Sequence, residues 1–168
     1  VTRLPRSARE IPFVDKGLVQ FPDYEMLRSL LPKIRTHGRD LGTGNCQVHD
    51  VWEYDEVRRF LAGFKARPWA AYVSELRGGE FMDPHRDRRT TVKLHVPIRA
   101  ENCTLSYHDD APGFPIFARY RYRPRVPVLM RTDILHSVRN ESKTPKYSLI
   151  LAWEGLDLPA AARMLAKR

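Results

Sequence analysis

His85-Arg86-Asp87-Arg88-Arg89-Thr90-Thr91-Val92-Lys93-Leu94-His95-Val96-Pro97-Ile98 joins two patterns in one stretch. From Val92 onward basic and apolar residues alternate, the period of a strand with one face toward a core and one toward something polar. Ahead of it stand His85 and Asp87, two apart and therefore on one side of an extended segment. A second histidine from a neighbouring strand would complete a two-histidine, one-carboxylate face on a metal ion, with three coordination positions left open. Open positions of that kind suit a non-haem Fe(II) oxygenase, two for a chelating 2-oxo acid and one for dioxygen. A His-x-Asp by itself also marks solvated loops and simple hydrogen-bonded pairs, so the flanking sequence has to decide.

Upstream, Tyr72–Arg77 reads as a strand, Gly78-Gly79 as a turn, and Phe81–Pro84 as the approach to the pair. Downstream, Val126–Met130 reads as a strand and Arg131–Asp133 as a turn. Ile134-Leu135-His136-Ser137-Val138 is then a second strand that presents His136 on one side. Ligands on strands far apart in the chain fit a small sandwich or barrel whose mouth holds a metal. Lys146–Trp153 is the strongest strand of all, with Lys146, Ser148, Ile150 and Ala152 on one face and Tyr147, Leu149, Leu151 and Trp153 on the other. Lys146 is the candidate cation for the distal carboxylate of a 2-oxo diacid. Equally, it reads as a surface lysine snorkelling from the end of an apolar strand.

The order His-x-Asp, basic-x-His-x-Pro, then Asp-x-x-x-His-Ser-Val-x-Asn-x-Ser with a basic residue ten after the histidine resembles the aspartyl/asparaginyl β-hydroxylase family of 2-oxoglutarate dioxygenases. Bacterial proline hydroxylases share the pattern, and the resemblance covers roughly residues 70 to 153. It implies a mainly β fold with flanking helices, built on a double-stranded β-helix (jelly-roll, cupin-like) core. It also implies Fe(II), 2-oxoglutarate and O2, with His85, Asp87 and His136 as metal ligands and catalytic centre. Lys146 and its hydroxyl partner Ser74 would take the distal carboxylate, and Lys93 and His95 would lie near the carboxylate at the metal. The family usually has arginine where this chain has Lys93 and Lys146, and lysine cannot make a guanidinium's bidentate fork. The product would be a hydroxylated amino acid or peptidyl residue, with succinate and CO2.

The other histidines have quieter readings. His37 and His49 read as surface or capping residues, and His95 reads also as a core histidine bonded to backbone. His108, in a turn-rich loop, is placed where it could overhang a pocket. Arg86, Arg88 and Arg139 are candidates to position substrate. Arg119, Arg121 and Arg123 alternate with Tyr120 and Tyr122, which reads as a solvated edge over core aromatics or as an arginine rim selecting an acidic substrate.

Length supports one catalytic domain over 1–168, with helical support and first strands to about 68, the jelly roll over about 69–153 and a C-terminal helix over 154–168. Asp23 to Thr36 is a helix capped by Asp23 and interrupted at Pro32, Tyr54–Phe64 a second, and Pro159–Arg168 a closing one. Cys46 and Cys103 form no disulfide framework and read as free buried thiols, and no apolar run approaches a membrane span. A soluble, cytoplasmic protein is the expectation. Twenty-nine Lys and Arg against 20 Asp and Glu give a net charge of +9, which attracts anions and permits nucleic acid without requiring it. Two other function classes stay open: a cupin-type metalloenzyme that uses no 2-oxo acid, and a basic nucleic-acid-binding module.

Overall fold

The computed structural model describes residues 10–34, 39–40 and 46–166. Eleven strands and three helices are present among them. Seven strands form one antiparallel sheet in the order β1(Phe13–Val14), β9(Val128–Arg131), β6(Val92–Arg99), β11(Lys146–Trp153), β4(Ala70–Leu76), β3(Cys46–Asp50), β2(Arg39–Asp40). The second sheet has four, ordered β5(Phe81–His85), β10(His136–Asn140), β7(Cys103–His108), β8(Ile116–Arg121). The chain passes repeatedly between the two sheets, as in a double-stranded β-helix.

Alternation along the strands explains the layers. On β11 the apolar face (Tyr147, Leu149, Leu151, Trp153) joins Val92, Leu94 and Val96 of β6 in a core sealed by helices. Those helices are α1(Tyr24–Ile34), α2(Asp55–Ala62) and α3(Leu158–Met164), contributing Leu27, Val57, Leu61 and Ala161. A second apolar cluster, including Leu105, Tyr107, Tyr122, Val128 and Met130, fills part of the space between the sheets. The remaining space between them is a cavity.

Local chemistry sets the element ends. Asp23 accepts the Met26 N–H at 2.7 Å and Asp157 the Ala160 N–H at 2.7 Å, each capping the helix that follows. Pro32 does not interrupt α1 where the sequence suggested: it sits in the last turn, and the helix stops two residues later. The closing helix begins at Leu158 and ends at Met164; residues 167–168, like His37 and Thr36, lie outside the described residues. At the Gly78-Gly79 turn a Cβ on Gly78 would come within 2.4 Å of the Lys143 carbonyl oxygen, and Gly79 has φ +77°. Only glycine fits both requirements. Cys46 and Cys103 are free and buried, and no described helix is long and apolar enough to cross a membrane.

Candidate metal centre

β5 and β10 are antiparallel neighbours, and their register sets His136 directly opposite His85. The two rings lie 4.5 Å apart, centroid to centroid. Asp87 follows as β5 gives way to a loop, and the ligand atoms of His85, Asp87 and His136 all fall within 4.8 Å of one another. Each histidine donates Nδ1–H to a carbonyl two residues back: His85 to Asp83 at 2.7 Å, His136 to Ile134 at 2.8 Å. That bond fixes the tautomer and leaves Nε2 with its lone pair free, the state a ligating imidazole needs. Burial, then the charge of His85, pushes the His136 pKa down to about 4, so its ring is neutral at physiological pH.

The carboxylate is held as firmly. Asp87 N–H donates to the Thr132 carbonyl at 2.8 Å, and the Thr132 hydroxyl in turn donates to the Thr90 carbonyl at 2.8 Å. Lys93, on β6, places Nζ 2.9 Å from Asp87 Oδ2 and donates to the Tyr72 hydroxyl at 3.2 Å. Burial alone would lower the Lys93 pKa; the neighbouring Tyr72 and Asp87 reverse that and raise it. Lys93 therefore occupies one carboxylate oxygen, while Oδ1 lies 4.0 Å from His85 Nε2.

The triad opens into a cavity of about 540 Å³ between the sheets. Inward positions of the seven-stranded sheet line it in rows: Leu76 pairs with both Cys46 and Lys146, Tyr72 with Asp50 and Ile150, and Ala152 with Ala70 and Lys93. Lys146 occupies the far row. It is 4% exposed, donates to Ser148 Oγ at 2.9 Å, and lies 4.5 Å from the centre of the Tyr122 ring. It enters no ion pair among the described residues, and burial lowers its pKa. Between the two lysines His95 lines the wall, its Nδ1 3.1 Å from the Tyr122 hydroxyl. Burial, then the positive charges of Lys146 and Lys93, keeps His95 neutral.

The cavity thus gathers His85, Asp87, His136, Ser74, Lys93, His95, Lys146 and Arg88. Three other candidates lie elsewhere. Arg86 alternates away from its neighbours His85 and Asp87, donating to the Asp133 carbonyl at 3.1 Å and to Asp110 at 2.6 Å. His108 falls on the outward face of β7, its ring nitrogens 2.7 Å from the Phe114 carbonyl and 2.7 Å from Ser137 Oγ. Arg139, between inward Val138 and Asn140, is exposed beside Glu141. The arginine–tyrosine run is the edge strand β8 and its continuation: Tyr120 and Tyr122 are buried, and none of its arginines lines the cavity. His49 is neither surface nor cap but buried on β3, 3.0 Å from Glu75 Oε2.

Sequence reasoning missed Tyr72, Ser148 and Thr132. Ser148 shares the strand face of Lys146 and pairs with Ser74 across β4, so the alternation already held that signal. Tyr72 and Thr132 become visible only when β4 and β6 flank β11 and the turn after β9 meets the loop after β5.

No protein-family model matches the chain, and none of the curated proteins matches it. Solved structures match in fold. A Pseudomonas putida prolyl-4-hydroxylase aligns with TM-score 0.58 at 14% identity, over 84% of this chain and 94% of that one. HygX from Streptomyces hygroscopicus, solved with nickel, 2-oxoglutarate and hygromycin B bound, aligns with TM-score 0.57 at 12% identity, over 84% and 81%. A Trichoplax adhaerens prolyl hydroxylase in complex with a hypoxia inducible factor oxygen degradation domain peptide fragment aligns with TM-score 0.56 at 12% identity, over 84% and 82%.

Proposed function

We propose that this chain is an Fe(II)- and 2-oxoglutarate-dependent dioxygenase that hydroxylates a C–H bond of an amino acid or peptidyl residue. One observation carries the reading: a His–Asp–His cluster of ligand geometry shares a cavity with a buried lysine that enters no ion pair among the described residues. The donor set fits iron, with two imidazole nitrogens and one carboxylate oxygen presented on one side. When bound, the iron and 2-oxoglutarate supply the oxidation, dividing dioxygen between succinate and the hydroxylated product as CO2 leaves.

The protein's own residues bind, orient and exclude. His85, Asp87 and His136 hold the metal, and the carbonyls of Asp83 and Ile134 fix the two rings. Lys93 holds the outer oxygen of Asp87, which keeps that carboxylate to a single donor and leaves positions for other ligands. Lys146, flanked by Ser148 and Ser74, takes the distal carboxylate of 2-oxoglutarate in a charge-assisted hydrogen bond. His95, neutral, brings no charge to the stretch between the carboxylates. The fold neighbours support this reading: HygX was solved with 2-oxoglutarate, and one prolyl hydroxylase with a peptide. Within the class, the motif order supports a likeness to the aspartyl/asparaginyl β-hydroxylase family, with lysines in place of two arginines.

The test is succinate release with Fe(II) and 2-oxoglutarate across amino acids and short peptides, with mass spectrometry for a gain of one oxygen. Wild-type protein is expected to release succinate with some of these. His136→Ala is expected to release none while unfolding as cooperatively as wild type. Wild-type protein that binds iron but neither binds nor consumes 2-oxoglutarate would instead be a cupin-type metalloenzyme.

A further inference from the structure

Six charged side chains line the cavity: Asp50, Asp87, Arg88, Arg89, Lys93 and Lys146. Four of them have an evident role in the structure or in the function proposed above. Lys93 faces Asp87, Lys146 faces the space for the distal carboxylate, and Asp50 Oδ1 accepts the Trp52 N–H at 3.0 Å. Arg88 and Arg89 have none: both are exposed, and neither enters an ion pair or hydrogen bond among the described residues. Other arginines in the surrounding segments are engaged, Arg86 with Asp110, Arg131 with Asp133 and Arg139 with Glu141.

Charge bookkeeping gives the gap a sign. A divalent ion and dianionic 2-oxoglutarate cancel each other, so the loaded cavity keeps four cations against two carboxylates. The excess of two positive charges falls at the mouth, on two guanidiniums adjacent in sequence whose planar forks match carboxylate or phosphate oxygens. The same cavity is lined by Trp69, a large aromatic side chain left 47% exposed, and by Trp52, whose ring is covered by Arg67 at 5.1 Å. An exposed indole lining the same cavity as these two arginines offers an apolar platform for the body of an anion.

We propose that Arg88 and Arg89, with Trp69, select a small substrate that carries an oxyanion group, carboxylate or phosphate, on an apolar or ring-bearing body. The proposal rests on the oxygenase reading, because the charge excess is counted with metal and 2-oxoglutarate in place. It names the substrate class that reading leaves open.

Protein loaded with Mn(II) and saturating 2-oxoglutarate is titrated calorimetrically with phenylacetate, phenyl phosphate and benzyl alcohol. At least one anion is expected to bind about tenfold or more tighter than the neutral alcohol, the scale of one charge-assisted contact. The tighter of the two anions identifies the group. Arg88→Gln/Arg89→Gln is expected to erase the preference, Arg88→Lys/Arg89→Lys to keep part of it, and Trp69→Ala to weaken all three probes. Equal binding of the three probes, or a preference that survives in the glutamine variant, overturns the proposal. So does a single-stranded oligonucleotide that needs both arginines when neither phenyl anion binds, which reassigns the mouth to nucleic acid. If 2-oxoglutarate itself fails to bind the Mn(II) protein, the oxygenase reading falls and this inference with it. Normal 2-oxoglutarate uptake without an anion preference sinks the inference alone.

Discussion

The two ends of the cavity each present a lysine from the same sheet, yet the two lysines live in opposite electrostatic circumstances. Lys93 has Asp87 at 2.9 Å and the Tyr72 hydroxyl at 3.2 Å, and its ammonium is stabilised. Lys146 has a serine hydroxyl and the face of Tyr122, and burial destabilises its charge. A folded protein retains a buried cation without a counter-ion only against a desolvation cost of several kcal/mol. The difference separates a residue paired within the described structure from one that, on the proposed reading, takes its counter-ion from the co-substrate. Lys93 is thus paired with the carboxylate of a candidate metal ligand, next to the place where the sequence resemblance puts the metal-side carboxylate of 2-oxoglutarate.

Asp87→Ala breaks the comparison most severely, because it removes a candidate metal ligand and the counter-ion of Lys93 at one stroke. Metal affinity, measured by calorimetry with Mn(II) or Co(II), is expected to fall by more than about a hundredfold, since even an outer partner of a ligand is worth 10–100-fold. Two lysines would then stand unpaired in one cavity.

Lys146→Met tests the other end. Affinity for 2-oxoglutarate is expected to drop on the order of a hundredfold, the upper range for a hydrogen bond to a charged group. The protein without 2-oxoglutarate is expected to become more stable, by roughly 1 kcal/mol or more, because an unpaired buried charge has been removed. The same residue sets a pH signature. Its folded-state pKa lies below the unfolded value of about 10.4, so the folded protein binds fewer protons between the two. The Lys146 contribution to stability without 2-oxoglutarate therefore rises with pH across that alkaline window, while 2-oxoglutarate affinity falls as the ammonium loses its proton. Buried tyrosines and Cys103, whose pKa values are raised, contribute in the opposite direction. Denaturant unfolding on either side of the window, as wild type minus Lys146→Met, is expected to show a difference that rises with pH, and calorimetry the loss of affinity in wild type alone.

Lys93→Met is the mildest of the three. Asp87 keeps 21% of its side chain exposed, so water can replace the ammonium. A loss of about tenfold in metal affinity is expected, the low end for an outer partner, with 2-oxoglutarate affinity at saturating metal little changed. If instead 2-oxoglutarate affinity fell as far as in Lys146→Met, both lysines would be binding the co-substrate and the contrast between the ends would disappear.

Much of this molecule was legible in its amino acids. β11 runs from Lys146 to Trp153 as the sequence predicted, its alternate residues divided between the helix-sealed core and the cavity side, with all eight buried. His85 and Asp87 announced themselves by spacing. Other elements were harder. Arg86 and Arg139 read as site residues because they neighbour His85 and Val138 in sequence, yet a pleat turns each adjacent side chain to the opposite face. His108 lies on the outward side for the same reason, being one residue out of phase with Tyr107.

Sequence periodicity determined which side chains share a face, since that depends only on backbone geometry within one strand. It fixed the apolar outer layer and the polar inner one, and it set His85 and Asp87 on one side of an extended segment. The tertiary structure decided which faces meet: the register that sets His136 against His85, the approach of Lys93 to Asp87, and the isolation of Lys146. Those contacts join residues that lie on different strands and loops, and their energies depend on burial and on distances of a few ångströms. No pattern within a single segment encodes either quantity.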